Sequence, residues 1–180
     1  MLVHTIGHST RPLDAFIALL QEAEIDLLVD IRSVPRSRRN PDYNLETLPG
    51  LLALAGIGHL HIRTLGGLRG KPKDPGPSPN SFWDHPAFRN YADYALTPPF
   101  HQGLEALLAL AAERRPAIMC AEALWWQCHR RIVTDYLLST GCTVRHIMGP
   151  GKIDAAKLTP GAVVEAPARL LYPPEQGSLL

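Results

Sequence analysis

Two short apolar runs, LVHTIG and DLLVDIR, flank an amphipathic segment, RPLDAFIALLQEAEI, within the first 32 residues. In the middle segment Leu13, Phe16, Ile17 and Leu20 recur at helical spacing, which gives a helix one apolar face. Thr10 stands where an N-cap belongs, and Pro12 near the first turn fits the fixed φ favoured there. DLLVDIR is almost continuously apolar, the pattern of a strand covered on both faces. Strand, helix and strand together make a βαβ unit, whose strands run parallel with a right-handed crossover. That unit constrains the remaining chain, because a parallel sheet needs helices on its faces.

The later segments supply them. LETLPGLLALAGI is predicted to be helical, with Pro49 near its start, and HLHIRTL is a third strand. AFRNYADYAL and GLEALLALAAE are two further helices, and AIMCAE is a fourth strand. WWQCHRRIVTDYLLSTG reads as a helix closed by Gly141 at C′, TVRHIM as a fifth strand and GAVVEA as a sixth. Residues 66–86 break the alternation with a Gly-, Pro- and Ser-rich stretch, long enough to serve as a functional cover. The prediction is a single α/β domain over 1–180, a mainly parallel sheet flanked by helices. Its motif-bearing core spans about 2–148, and 167–180 form a loosely held tail.

At 180 residues such a domain buries a core without disulfide or metal staples. Three cysteines in no framework spacing read as free thiols in a reducing, cytoplasmic setting. MLVHTIGHST lacks the basic start and long apolar run of a secretory signal, and no apolar run is long enough for a membrane span. A net charge of +1 argues against global attraction to a polyanion but leaves room for a local basic patch.

Ligands of open parallel sheets bind beyond the carboxyl ends of the strands. The first predicted strand exits into Gly7-His8-Ser9-Thr10, and the second ends in Asp30-Ile31-Arg32. The third leads to Gly66, Gly67 and Arg69, and the fourth to Cys120-Ala121-Glu122. Four consecutive strands thus deliver reactive or anion-binding groups to one edge, which is the main functional signal.

CAEALWWQCHRR, residues 120–131, concentrates that chemistry. A helix starting near Trp125 puts Trp125, Ile132, Val133, Tyr136 and Leu137 on one stripe facing the sheet. Cys128 and His129 then lie in its first turn, toward the edge holding Cys120 and Glu122. Arg131 and Asp135, four residues apart, would pair on the surface, leaving Arg130 to turn to a ligand. Three readings compete. A zinc site would use Cys120, Cys128 and His129, but adjacent residues on a helix diverge by about 100° and no CxxC pair exists, so no metal is expected. A nucleophilic Cys120 would draw on a nearby imidazole and arginines, but the glycine-rich loop of phosphatase or rhodanese chemistry is missing. An anion cradle needs only a helix N-terminus and arginines, and is the favoured reading. Each cysteine taken singly fits a small buried hydrophobe better than a catalytic group.

DIRSVPRSRRNP places Arg32, Arg36, Arg38 and Arg39 within eight residues. The run reads as a phosphate-contacting loop for a nucleotide or nucleic-acid backbone, or as a solvated basic loop. Asp30 would orient an arginine or act as a general base, and His8 would carry a proton or cap the next helix. His4, His59 and His61 lie inside strands and read as satisfied structural histidines. Phe82, Trp83 and Tyr91 could stack a base but fit amphipathic packing better.

Taken in order, TIGHST, DIRSVPRSR, LGGLRG, the W…F…YA-Y stretch and CAE…CHRR resemble the domain of unknown function 488 family (DUF 488). The resemblance runs from about Thr5 to Ile147 and implies a small prokaryotic α/β protein. Its name attaches no reaction to the fold. The signature positions carry onto His8, Ser9, Asp30, Arg32, Pro35, Arg38, Gly66, Gly67, Arg69, Cys120, Glu122, Cys128, His129 and Arg130, with 70–80 the variable part.

The expected function is an enzyme-like domain that binds a phosphate-bearing or other anionic small molecule or nucleotide. Asp30, Cys120, Glu122 and His129 are the candidate catalytic groups. His8, Ser9, Arg32, Arg38, Arg69, Cys128 and Arg130 are the candidate binding groups. The sequence leaves the cofactor, the substrate and the oligomeric state open. The alternatives are a nucleic-acid-binding module using the Arg32–Arg39 loop and a non-catalytic interaction protein.

Overall fold

A computed structural model of the chain describes residues 1–70 and 76–174. The first strand, β1 (Leu2–Gly7), leads to α1 (Leu13–Glu22), β2 (Leu27–Asp30), α2 (Leu48–Leu54) and β3 (Gly58–His61). Then come α3 (Pro86–Tyr94), α4 (Pro98–Glu113), β4 (Pro116–Cys120), α5 (Arg130–Ser139) and β5 (Thr143–Gly149). The remaining strands are β6 (Lys152–Ala155), β7 (Val163–Ala166) and β8 (Arg169–Leu171). One six-stranded sheet runs β3-β2-β4-β1-β5-β6, parallel except for the antiparallel β5–β6 pair. This is the single, mainly parallel α/β domain that the βαβ start predicts. No described helix is long and apolar enough to cross a membrane.

Both sheet faces are covered, which accounts for the unbroken apolar strand sequences. Leu28, Ala117 and Met119 pack with Phe16 and Leu20 of α1 and with Leu48 and Leu52 of α2. Val29, Ile31 and Ile118 point the other way, against Tyr91 of α3, Phe100 and Leu104 of α4, and Ile132 and Tyr136 of α5. This alternation within each strand sorts the helices into a pair on one face and a trio on the other. Consequently β4 is followed by a helix on the opposite face from those after its neighbours β1 and β2. The chain parts at that point, and the gap lies beyond the carboxyl ends of these strands.

Several local readings change. The first helix begins at Leu13 with Pro12 as its N-cap residue and no side-chain cap, so Thr10 does not cap it. The segment from Trp125 is not one helix. Residues 125–127 form a 3-10 turn, Cys128 is extended (φ −138°, ψ 154°), and α5 starts at Arg130. GAVVEA does form a strand, but β7 pairs only with β8 in a separate hairpin, and the sixth strand of the main sheet is β6. The four residues of β6, KIDA, are exposed throughout, and the single Ile153/Ala155 alternation is too short to mark a strand in the sequence. Its position follows from the Pro150-Gly151 turn, where Gly151 takes φ 65°, the left-handed value a type II turn needs at that place.

The chain end is better held than its composition predicts. Leu170 and Tyr172 are fully buried, the Tyr172 hydroxyl donates to Asp135 Oδ2 (2.9 Å), and its N–H donates to Asn80 Oδ1 (2.9 Å). The rest of the predicted tail, 175–180, and residues 71–75 of the predicted cover lie outside the described residues. Among described residues the stretch from β3 to α3 contains only one 3-10 turn, Arg63–Leu65.

Candidate functional site

A cavity of about 700 Å³ opens at the carboxyl ends of β1, β2 and β4. Of the predicted site residues, His8, Arg32, Cys120, Glu122, Cys128 and His129 line it. Ser9, Asp30, Arg38, Arg69 and Arg130 do not. Ser33, Arg36, Ser37, Gly67, Phe88, Tyr91, Trp126 and Gln127 add to the wall. Most of these sit on irregular segments, where periodicity carries no information, although Arg36, Gly67 and Tyr91 stand within motifs quoted above.

The strand exits are built by backbone pairing. His8 N–H donates to Cys120 O (3.0 Å) and Ser9 N–H to Ala121 O (2.8 Å), so the chain after β1 continues beside the chain after β4. A side chain at position 7 would overlap the Glu122 carbonyl, which explains the glycine in TIGHST. Ser9 contributes its backbone: its carbonyl accepts from His8 Nδ1 (3.0 Å) and Asn40 Nδ2 (2.7 Å).

The arginines are more committed than their sequence pattern implies. Arg32 is buried, and its Nε and Nη2 both donate to the Asp30 carboxylate, Nη2 at 2.6 Å. Nη2 also donates to Tyr43 O (2.6 Å), while Nη1 lies 3.2 Å from His8 Nε2. Asp30 is thus an orienting partner behind the wall. Arg69 donates to the carbonyls of Gly66 (2.9 Å), Arg63 (3.1 Å) and Thr64 (3.3 Å), and stacks over the Tyr94 ring at 3.7 Å. Arg130 is fully buried; its Nη2 donates to Glu122 O, and its Nε to Cys128 Sγ at 3.4 Å. Arg130 therefore clamps the loop after β4 and does not reach the cavity. Arg36 is paired with Glu46 at the surface, and Arg38 and Arg39 are exposed.

The predicted Arg131–Asp135 surface pair does not form. Asp135 is buried and accepts from Thr159 N–H and Tyr172 OH, whereas Arg131 bonds Thr159 Oγ1 (3.1 Å) and lies over Trp83. Burial pushes the Asp135 carboxyl up from its ordinary value, against the pull of these hydrogen bonds. His61 Nε2 donates to Arg32 O (2.8 Å), but His4 Nδ1 and His59 Nε2 are buried without a hydrogen-bond partner among the described residues, so these two are not fully satisfied. Trp83 packs on Phe88 and Tyr172 in the core. Tyr91 donates to Leu65 O (2.7 Å) while its ring reaches the wall.

The break at Cys128 brings the cysteines and His129 together. Cys120 Sγ lies 3.8 Å and Cys128 Sγ 3.6 Å from His129 Nδ1, and the three ligand atoms all fall within 4.8 Å of one another. Extended backbone at Cys128 takes it out of the helical turn in which it would diverge from His129, so the two side chains meet. His129 Nε2 is 3.0 Å from Ile31 O. A carbonyl only accepts, so the ring proton sits on Nε2 and Nδ1 turns a lone pair to the sulfurs. Gly67 makes room for this ring, because a Cβ there would overlap Nδ1. Gly66 likewise lies against Ser33, so the GG pair of LGGLRG is required by close approach at both positions.

The two cavity thiols differ. The hydrogen bond to Cys128, together with burial, pushes Cys120 up. Burial would also raise Cys128, but the hydrogen bond from Cys120 and the Arg130 charge pull the other way, and Cys128 lies well below the ordinary thiol range. Of the two, Cys128 has the surroundings that favour a thiolate. Burial lowers His8 to about 4, helped by nearby Arg32 and opposed by the bond to Ser9 O, so this ring is neutral near pH 7. It stacks on Tyr43 at 4.3 Å.

Gly67→Ala is expected to destabilise the fold by about 1–3 kcal/mol, the usual cost of overpacking. The midpoint of urea unfolding measures it, and an unchanged midpoint would mean that His129 has space to turn.

A family model described as Domain of unknown function DUF488 matches residues 12–137. The matched span contains the arginine loop, LGGLRG and CAE…CHRR, and leaves out TIGHST. No curated protein and no solved structure matches the chain.

Proposed function

Because the chain belongs to the DUF488 family, whose description names no reaction, we propose a function from the cavity itself: an enzyme-like domain that binds a small anionic molecule and acts on it at the Cys120–Cys128–His129 wall. The observation that carries this reading is the meeting of these three groups on the wall of a cavity at the strand switch. A volume of about 700 Å³ suits a metabolite-sized ligand. Phe88, Tyr91 and Trp126 offer apolar surface to its body, and Glu122 brings a carboxylate suited to proton transfer.

The anion-holding role moves from Arg32, Arg69 and Arg130 to Arg36. Its pairing with Glu46 is exposed on both sides, so a ligand phosphate or carboxylate displaces it at little cost. Ser33 and Ser37 stand on the same wall. Gly67, Leu68 and His85, near the two ends of the 66–86 stretch, line the cavity, which supports reading the stretch as a cover. The nucleic-acid alternative keeps only Arg38 and Arg39 as exposed cations outside an ion pair among the described residues of the basic run.

The test is a thermal-shift panel of small carboxylates, phosphates and nucleotides against the native chain and Ala121→Trp, which fills the mouth from an exposed wall position. A binding member at 100 times its Kd adds about 2.7 kcal/mol to stability. Stabilisation of the native chain, with affinity at least tenfold weaker for Ala121→Trp, is expected. A panel without effect, or with equal effect on both proteins, overturns the reading in favour of a non-catalytic role.

A further inference from the structure

We infer that Cys120, Cys128 and His129 bind one soft divalent cation of the zinc class, with three protein ligands and a fourth position open to the cavity. The inference deepens the proposed function and rests on it only for the use of that fourth position.

The spacing matches. Zinc–sulfur bonds of about 2.3 Å and zinc–nitrogen bonds of about 2.0–2.1 Å, at tetrahedral angles, separate sulfur from nitrogen by roughly 3.6 Å. The observed separations from His129 Nδ1 are 3.6 Å to Cys128 and 3.8 Å to Cys120. Among the described residues no other trio of His, Cys, Asp or Glu side chains converges as closely.

The surroundings are those of a ligand set. Metal-binding histidines hand their second N–H to a carbonyl or carboxylate, which orients the ring. His129 does this through Nε2 to Ile31 O at 3.0 Å. Cys128 Sγ receives the N–H of Arg130 and its Nε–H, both at 3.4 Å, as a metal-bound thiolate requires. The missing side chain at Gly67 keeps the lone-pair face of His129 clear. Two cysteines and a histidine are soft to borderline donors that select zinc-class ions over magnesium or calcium. A dication balances two thiolates, so the buried pair need not carry net charge. A disulfide between Cys120 and Cys128 would leave the aimed imidazole lone pair without a role.

All three ligands line the cavity, so the fourth position faces it. Three protein ligands with an open fourth position is the arrangement of catalytic zinc, where a bound water becomes acidic or a substrate oxygen is polarised.

The experiment uses the full chain, reduced and stripped of metal with a chelator, then titrated with Zn(II) against a competing chromophoric chelator and separately with Co(II). One ion per chain is expected, and cobalt should develop sulfur-to-metal charge-transfer absorption together with the visible bands of a tetrahedral ion. Cys120→Ser, Cys128→Ser and His129→Gln should each weaken zinc by more than tenfold, beyond the low end of even outer-shell changes. Cys142→Ser, a buried thiol away from the cavity wall, should bind as the native chain does. Absence of stoichiometric zinc, a cobalt spectrum without sulfur charge transfer, or equal effects of Cys142→Ser and Cys120→Ser would overturn the inference. The cobalt spectrum of the native chain decides the matter even where a variant does not fold. Ala121→Trp should keep its zinc. Failure of the native chain to bind any small molecule while it binds zinc counts against the proposed function alone, and small-molecule binding by a native chain that takes up no zinc counts against the metal alone.

Discussion

Asp30→Ala is expected to remove about 3–5 kcal/mol of folding free energy, the range for breaking a buried ion pair from one side. Asp30 is fully buried and accepts Arg32 Nε at 2.9 and 3.1 Å, Nη2 at 2.6 Å and the Arg32 backbone N–H at 3.0 Å. With the carboxylate gone, a guanidinium at 4% exposure is left with neutral partners, the Tyr43 carbonyl and His8. Asp30→Leu combined with Arg32→Met should be markedly milder, because it buries no orphaned charge. Urea unfolding of both variants measures the difference. A single variant within 1 kcal/mol of the native chain would show that water reaches Arg32 and screens it.

Acid should destabilise the chain well before its carboxylates titrate. Burial, then the nearby Arg130 charge, lowers His146 to about 4, and burial chiefly lowers His8 to about 4. Both rings are neutral in the fold but take up protons near pH 6.5 once unfolded. Their contribution is therefore fully present above about pH 6.5 and is lost as pH falls toward 4. Each ring contributes on the order of 3 kcal/mol across that window. His4 and His59, also lowered by burial, add to the loss. The raised carboxyl of Asp135 acts in the opposite direction and offsets part of it. Unfolding free energy measured at several pH values between 7 and 4.5 should fall by several kcal/mol, and His146→Gln should flatten the slope by up to one proton. A flat profile would mean that these rings protonate within the fold.

The fold was legible wherever periodicity was strong. Six strands, β1–β5 and β7, and five helices are visible because apolar residues alternate or recur along them. β6 is not, since KIDA is exposed throughout and is held by a Pro-Gly turn and an edge. The described part of the tail is held because Tyr172 takes its partners, Asp135 and Asn80, from distant sequence. At the site, the strand-exit argument located His8, Arg32, Cys120 and Glu122 on one wall. Arg69 and Arg130 lie off that wall, each guanidinium occupied by backbone carbonyls, which charge pattern does not show.

CHRR illustrates the same limit. Read as a helix, it separates Cys128 from His129 and argues against a shared ligand. One extended residue reverses that conclusion. No local pattern in the sequence distinguishes the two backbones.

The parallel sheet and the edge at which polar groups gather follow from local periodicity and from the short reach of a βαβ connection. Which of those groups line the cavity and which are consumed inside depends on packing between distant segments. Each choice depends on an atom delivered from elsewhere: the Ile31 carbonyl that orients His129 across 98 residues, the Tyr43 carbonyl that occupies Arg32, and the absent side chain of Gly67. Such partners meet only after the core has packed, so the chemistry of this edge is a property of the folded chain.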